Sequence, residues 1–221
     1  MERTRRCLVR SGGVEDSRTQ AARRHFDRWS ATYEQDRASR WLREIQTHAL
    51  GILALLPDDL LLDLGCGTGV AVREAATGVR RAVGLDLSPA MIARARTLAS
   101  GIGNVEFLAG DVSGQLPFSD GEFTAVLCTT AFHHFPRKPD TIAEMSRVLA
   151  PGGRLVIGDA NRTHPVVFVL DPLLRALQRS HVGFESPAQL RSDLYAAGFA
   201  NVTTSTIWAG GYAFVRAAKR R

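Results

Sequence analysis

Cysteine is scarce in this chain: Cys7, Cys66 and Cys128 are the only three in 221 residues. Their spacing matches no metal-binding pattern and an odd number cannot all pair, so neither a disulfide framework nor a metal centre is expected to organise the fold. A reducing, cytoplasmic setting follows. Long apolar runs are missing as well. The longest, from about Ala49 to Leu64, is interrupted by Pro57-Asp58-Asp59, so no spanning helix, signal peptide or stable membrane association is expected. Lysine is rare too, Lys138 and Lys219 being the only two among 28 basic residues. The net charge of +6 sits at the ends: residues 1–24 hold seven Arg against three acids, residues 216–221 hold four basic residues and no acid, and the stretch between is slightly acidic. A body without a basic stripe argues against nucleic acid as a partner, and the tails read as solvated ends.

What the chain does have is an apolar run that stops at glycines. Leu61-Leu62-Asp63-Leu64-Gly65-Cys66-Gly67-Thr68-Gly69 describes a buried strand turning abruptly into a helix. Glycine at alternate positions lets the backbone take positive φ and lets a nucleotide-like ligand approach it closely. A dinucleotide fingerprint would need a third glycine where the two possible registers hold Val70 or Val72, which leaves a nucleotide-cofactor oxidoreductase as the weaker alternative. A Walker loop is excluded, because no Gly-Lys-Ser or Gly-Lys-Thr follows. Two further strands end in acids. Arg81-Ala82-Val83-Gly84-Leu85-Asp86 leads into a helix with Ser88 as N-cap and Pro89 at its first position, and Asn104 to Ala109 leads into Gly110-Asp111-Val112. A carboxylate beside the glycine turn can accept both hydroxyls of a ribose, and Asp86 is placed for that. Asp63, Asp86 and Asp111 then share the edge made by strand C-termini, where open α/β sheets bind ligands.

A fourth strand, Glu122 to Cys128, is followed by Thr129-Thr130-Ala131-Phe132-His133-His134-Phe135, a helix from about Arg137 to Leu149, the turn Ala150-Pro151-Gly152-Gly153 and a fifth strand, Arg154 to Asp159. Over roughly Tyr33 to Asp159 this series of motifs resembles the class I S-adenosylmethionine-dependent methyltransferases, and in particular the small-molecule enzymes of the ubiquinone/menaquinone biosynthesis type. The resemblance implies an α/β fold: a Rossmann-like, seven-stranded, mostly parallel sheet with helices on both faces, the last strand antiparallel, and an N-terminal helical lid. It implies S-adenosylmethionine as cofactor. Gly65, Cys66, Gly67 and Gly69 would wrap its methionine part, Asp63 would face its cationic groups, Asp86 its ribose, and Leu87 and Met91 its adenine. Gly110, Asp111 and Val112 would lie at the adenine amino group, with Cys128 and Thr129 counted among the contacts. Tyr33 matches a position that relatives place near the cofactor carboxylate or the acceptor, and a packing role for it stays open. A domain that binds the cofactor and regulates without catalysis would keep the same residues.

Residues 1–18 are expected to form a disordered basic tail and 19–221 a single domain. Within it, residues 19–56 form the helical lid, where Phe26, Trp29 and Tyr33, then Trp41, Ile45 and Ala49, recur at helical spacing. Trp29 and Trp41 are read as core. Residues 161–185 interrupt the strand and helix alternation and are placed on the acceptor side; Asp171-Pro172 is expected to start a helix after the apolar run Val166 to Leu170. A helix from Ser186 to Ala197 and two closing strands complete the chain. The apolar insertion points to a small apolar or aromatic acceptor methylated at oxygen, carbon or nitrogen. In-line methyl transfer depends mostly on positioning, and a base helps only where the acceptor loses a proton. His133 and His134 are the candidate base or acceptor contacts, although neighbours in sequence do not easily face one pocket together, and a structural role stays open. The strings of nucleic-acid methylases and the acids of metal-dependent catechol enzymes are absent, so no metal is expected. The chain is read as a monomer or homodimer.

Overall fold

A computed structural model describes residues 17–33 and 37–221. The expected tail lies outside the described residues except for Ser17 and Arg18, which open a helix rather than extending the tail. Two helices, α1 (Ser17–Trp29) and α2 (Arg37–Leu53), precede the first strand. An alternating series then runs β1 (Leu60–Leu64), α3 (Val70–Ala75), β2 (Arg81–Asp86), α4 (Pro89–Leu98), β3 (Val105–Ala109) and β4 (Phe123–Thr129). It continues with α5 (Lys138–Val148), β5 (Leu149–Ala160), α6 (Pro165–Leu177), α7 (Pro187–Ala196), β6 (Phe199–Ile207) and β7 (Tyr212–Lys219). The seven strands form one sheet in the order β3-β2-β1-β4-β5-β7-β6. Only β7 runs against its neighbours, pairing antiparallel with both β5 and β6.

The central strands read as unbroken apolar runs because both faces are covered. Side chains alternate across the sheet, so Leu62, Leu64, Val83, Leu85, Val126, Leu155 and Ile157 enter a core with Ile142 and Met145 of α5 and Leu190 and Leu194 of α7. The opposite parity, Leu61, Ala82, Ala125, Leu127 and Val156, packs against Ile45, Ala49 and Leu53 of α2 and Ile92 and Ala95 of α4. α4 starts as expected: the Met91 N–H donates to Ser88 Oγ at 3.1 Å, with Pro89 beside the cap. α7 repeats the device, the Gln189 N–H donating to Ser186 Oγ at 3.1 Å.

Two local expectations need correction. The turn Ala150 to Gly153 is a bulge within β5: Leu149 pairs with Phe123 and Arg154 with Ala125, so both flanks bond to β4 while the residues between bow out. The helix in the insertion begins at Pro165, seven residues before Pro172, which lies inside it. Pro165 fits a first helical position as well as Pro172 does, and Asp171 is not a cap: it is 2% exposed and turned inward. Among the described residues no helix is long and apolar enough to cross a membrane.

The glycine turn is held by sterics as well as by backbone freedom. Gly69 sits at φ 77°, and a Cβ there would land on the Phe107 ring. Gly69→Ala therefore combines a left-handed backbone with a core clash and is expected to destabilise the protein by about 2–4 kcal/mol, read as a lowered urea midpoint. A midpoint equal to the wild type's would show that the turn is less constrained than its geometry.

Candidate active site

The C-terminal ends of β1, β2, β3 and β4 meet along one edge, because Leu64 pairs with Leu85, Asp86 with Ala109 and Asp63 with Leu127 in parallel register. Asp86, at the end of β2, ties this edge together. Its Oδ2 accepts the Gly67 N–H at 2.8 Å and its Oδ1 accepts the Ser88 N–H at 2.8 Å. Burial raises its carboxyl above the ordinary value despite these two bonds, which pull it down. Each oxygen keeps a free lone pair for a further donor. Ser88 Oγ also donates to Asp27 Oδ1 at 2.5 Å, so α1 is pinned to the start of α4.

A cavity of about 310 Å³ opens over this edge. On one side it is lined by Gly65, Gly67, Asp86, Leu87, Met91, Asp111, Val112 and Thr129; on the other by Phe26, Trp29, Tyr33, Trp41, His133 and His134. Gly65 lies against Ala131, where a Cβ would come within 2.5 Å, so only glycine fits the turn there. Asp111 Oδ1 is engaged by the Ser113 N–H and Oγ at 2.8 and 2.7 Å. Five of the sequence-predicted residues stand behind the wall instead of lining the cavity. Cys66 is 2% exposed and turned toward Gly84, Cys128 is fully buried in the α5 and α7 core, Gly69 packs on Phe107, and Gly110 donates its N–H to the Asp86 carbonyl. Asp63, 1% exposed, is the fifth. Trp29 and Trp41, read as core, face the cavity because α1 and α2 lie across its mouth.

The two histidines both line the cavity, against the expectation that neighbours would not. A short 3-10 turn, Phe132–His134, rotates successive side chains by less than a strand would, leaving the two rings 4.0 Å apart and tilted by 44°. His133 Nδ1 lies 2.9 Å from both oxygens of Asp159, whose Oδ2 also accepts the His133 N–H at 2.8 Å. His134 Nδ1 donates to the Ser180 carbonyl at 2.7 Å. Burial, and then the neighbouring His133, push the His134 imidazole well below its ordinary value. Asp159 is a functional candidate missed at the sequence level; its signal was a carboxylate at the C-terminal end of the strand that neighbours β4. His25 and Gln178, also unforeseen, bridge α1 and the end of α6 with their nitrogens 3.4 Å apart. Among the described residues no three His, Cys, Asp or Glu side chains gather as metal ligands.

Asp63 Oδ2 is buried under the glycine turn with no hydrogen-bond partner among the described residues. Burial, followed by the charge of Asp86, pushes its carboxyl up to about 7. Ionised Asp63 costs stability: the cost is absent below the ordinary carboxylate range, grows as pH rises toward about 7 and is complete above it. Asp63→Asn removes that slope, so between about pH 4 and pH 8 its melting temperature should fall less than the wild type's, as followed by circular dichroism. Parallel slopes for the two proteins would reject the role of Asp63.

Comparison with known proteins agrees with this geometry. Residues 62–157 match the family described as "Methyltransferase domain". The demethylmenaquinone methyltransferase of Thermus thermophilus is 36% identical over 163 residues, covering 63% of this chain and 73% of that protein. The 2-methyl-6-phytyl-1,4-hydroquinone methyltransferase of a Synechocystis strain is 33% identical over 181 residues, covering 72% of this chain but 57% of that longer protein. A chain in the solved complex between the Haloferax volcanii Trm112 methyltransferase activator and a methyltransferase superposes with a TM-score of 0.79 at 23% identity, over 95% of this chain and 100% of that one. The last likeness is one of fold; the others are likenesses of sequence, and the family match over residues 62–157 spans the glycine turn, the strand-end acids and the histidine turn. With this cavity at the carboxyl edge of this sheet, the chain belongs to the class I S-adenosylmethionine-dependent methyltransferases.

Proposed function

We propose that the cavity holds S-adenosylmethionine along its glycine-turn wall and a phenol- or quinol-like small molecule along its aromatic wall, and that the methyl group passes to oxygen or to an activated ring carbon. What supports this reading is that one cavity joins the two walls: strand-end carboxylates and bare backbone on one side, Phe26, Trp29, Tyr33 and the His133–Asp159 pair on the other. The named substrates of the relatives, a demethylmenaquinone and a prenylated hydroquinone, are aromatic or quinoid, which accords with it.

The residues present fit the donor. Asp86, oriented by two backbone N–H groups, would take the ribose hydroxyls. Leu87, Met91 and Val112 would sandwich the adenine with Asp111 at its rim, and Gly65 and Gly67 give backbone that a side chain would otherwise cover. The orphaned Asp63 oxygen beneath them adds a negative potential suited to the cationic end. Bound S-adenosylmethionine supplies a methyl group on a sulfonium, open to in-line displacement. The rest of the task falls to the chain's own groups. Asp159 holds His133 by Nδ1, fixing the tautomer that leaves Nε2 able to take the proton of a phenolic hydroxyl or ring carbon, and its carboxylate steadies the imidazolium formed. His134, kept neutral by burial and donating through Nδ1 to Ser180, leaves its Nε2 as an acceptor for a substrate hydroxyl. α1 and α2, laid across the mouth with Trp29, Tyr33 and Trp41 facing inward, exclude water and act as the lid.

Asp86→Ala is expected to weaken S-adenosylmethionine binding by about 1–3 kcal/mol in titration calorimetry; unchanged affinity in the folded variant would remove Asp86 from the ribose site. His133→Ala is expected to lower kcat toward a hydroquinone by about a hundredfold or more while cofactor affinity stays at the wild-type value, with Asp159→Asn following in the same direction. Normal turnover in both variants would end the case for a base at this position.

A further inference from the structure

Helix α6 is built inside out. Its only acid, Asp171, is 2% exposed and faces inward, accepting from His181 Nε2 at 2.8 Å and the Phe184 N–H at 3.0 Å and pairing with Arg175 at 2.8 Å. One apolar face points out: Val166 is 57% exposed, Val169 71%, Leu173 52% and Leu177 76%, while Val167 and Leu174 are half-buried and Phe168, 62% exposed, lies off this face. At about 100° per residue Val166, Val169, Leu170, Leu173 and Leu177 fall within one sector of roughly a third of the circumference, turned away from Asp171. A soluble helix ordinarily has the opposite arrangement. No acidic side chain stands on this outer face, since Asp171 is the only acid between Arg162 and Ser180.

The stripe ends beside cations and beside the cavity. Leu177 shares an outer depression with Arg24 and Arg28 of α1 and with Arg179. That depression and the active-site cavity have His25 and Gln178 in common, the pair that bridges α1 to the end of α6. The same segment grips the catalytic turn: the Val182 and Gly183 N–H groups donate to the His133 carbonyl at 3.0 and 3.1 Å. The apolar stripe, the arginine rim and the histidine turn are thus parts of one connected unit.

We propose that the outer face of α6, with the arginines at its C-terminal end, docks reversibly on an anionic lipid bilayer. The five apolar side chains enter the headgroup and acyl boundary, the guanidinium groups meet the lipid phosphates, and the His25–Gln178 bridge faces the membrane as the mouth for an apolar acceptor. Charge complementarity selects this occupant. A second copy seated by two-fold symmetry would set three arginines against three arginines, and the one acid lining the depression, Asp27, is already engaged by Ser88 Oγ. The expectation of no stable membrane association drew on the lack of a spanning run, whereas a surface stripe of this kind needs no such run. The docking stands without the acceptor reading; the mouth rests on it.

The test is flotation of the full chain with vesicles of phosphatidylcholine, with and without phosphatidylglycerol. The wild type should float with the anionic vesicles and detach at high salt. The triple variant Val166→Ser, Val169→Ser, Leu173→Ser, altered only at exposed positions, should lose at least about tenfold in partitioning while binding S-adenosylmethionine and methylating a soluble hydroquinone like the wild type. Both proteins keep the basic tails, so equal flotation of the two would assign binding to the tails and overturn the proposal. Absence of flotation would overturn it too, and a wild-type dimer that the variant converts to a monomer would then give the face to a second copy. Should the hydroquinone prove not to be a substrate of either protein, the acceptor reading fails while the flotation result still decides the docking.

Discussion

The bond from the Gly67 N–H to Asp86 is the constraint on which the rest of the site depends. A turn with glycine at alternate positions has little side-chain packing to hold it, and free backbone of that kind would sample many conformations. Asp86 removes the freedom by accepting from Gly67 on one side and Ser88 on the other, so the same carboxylate sets the glycine turn and the start of α4. Ser88 passes the constraint on to α1 through Asp27. Removing these links would detach the floor of the cavity from its roof.

The opposite wall follows a different logic. There the polar groups come from β4, β5 and the segment after α6, and each buried imidazole has a dedicated partner: Asp159 for His133, Ser180 for His134, Asp171 for His181. Buried polar groups without partners cost stability, so the paired arrangement keeps titratable rings inside an aromatic chamber without collapsing it. The left-handed Thr130, whose hydroxyl lies 3.0 Å from the Tyr212 hydroxyl, turns the chain from β4 into the histidine turn. β7, the reversed strand, thereby supports the histidine turn.

The apolar character of residues 161–185 has two destinations. In the sequence, a run such as Val166 to Leu170 reads as material for the pocket, because apolar side chains are usually buried. In the fold, the buried requirement belongs to Asp171, which must satisfy His181, the Phe184 amide and Arg175 together, and helical geometry then turns one face of valines and leucines to solvent.

The alternation of strands and helices, the glycine turn, the Ser88 cap and the acids at strand ends were all legible in the chain, because each depends on local rules: two-residue alternation, capping by a hydroxyl, positive φ at glycine. Strand ends carrying Asp86 and Asp111 could be assigned to one edge on that basis alone. What only the tertiary structure decided are contacts between positions far apart in the chain. Asp159 reaches His133 because β5 lies beside β4, His25 meets Gln178 because α1 crosses the end of α6, and Cys66, Gly69 and Cys128 pack behind the wall because neighbouring strands and helices close over them. Local sequence carries the conformation of a segment, but which side chains face a shared cavity depends on the relative placement of segments, and that is set by packing of the whole sheet.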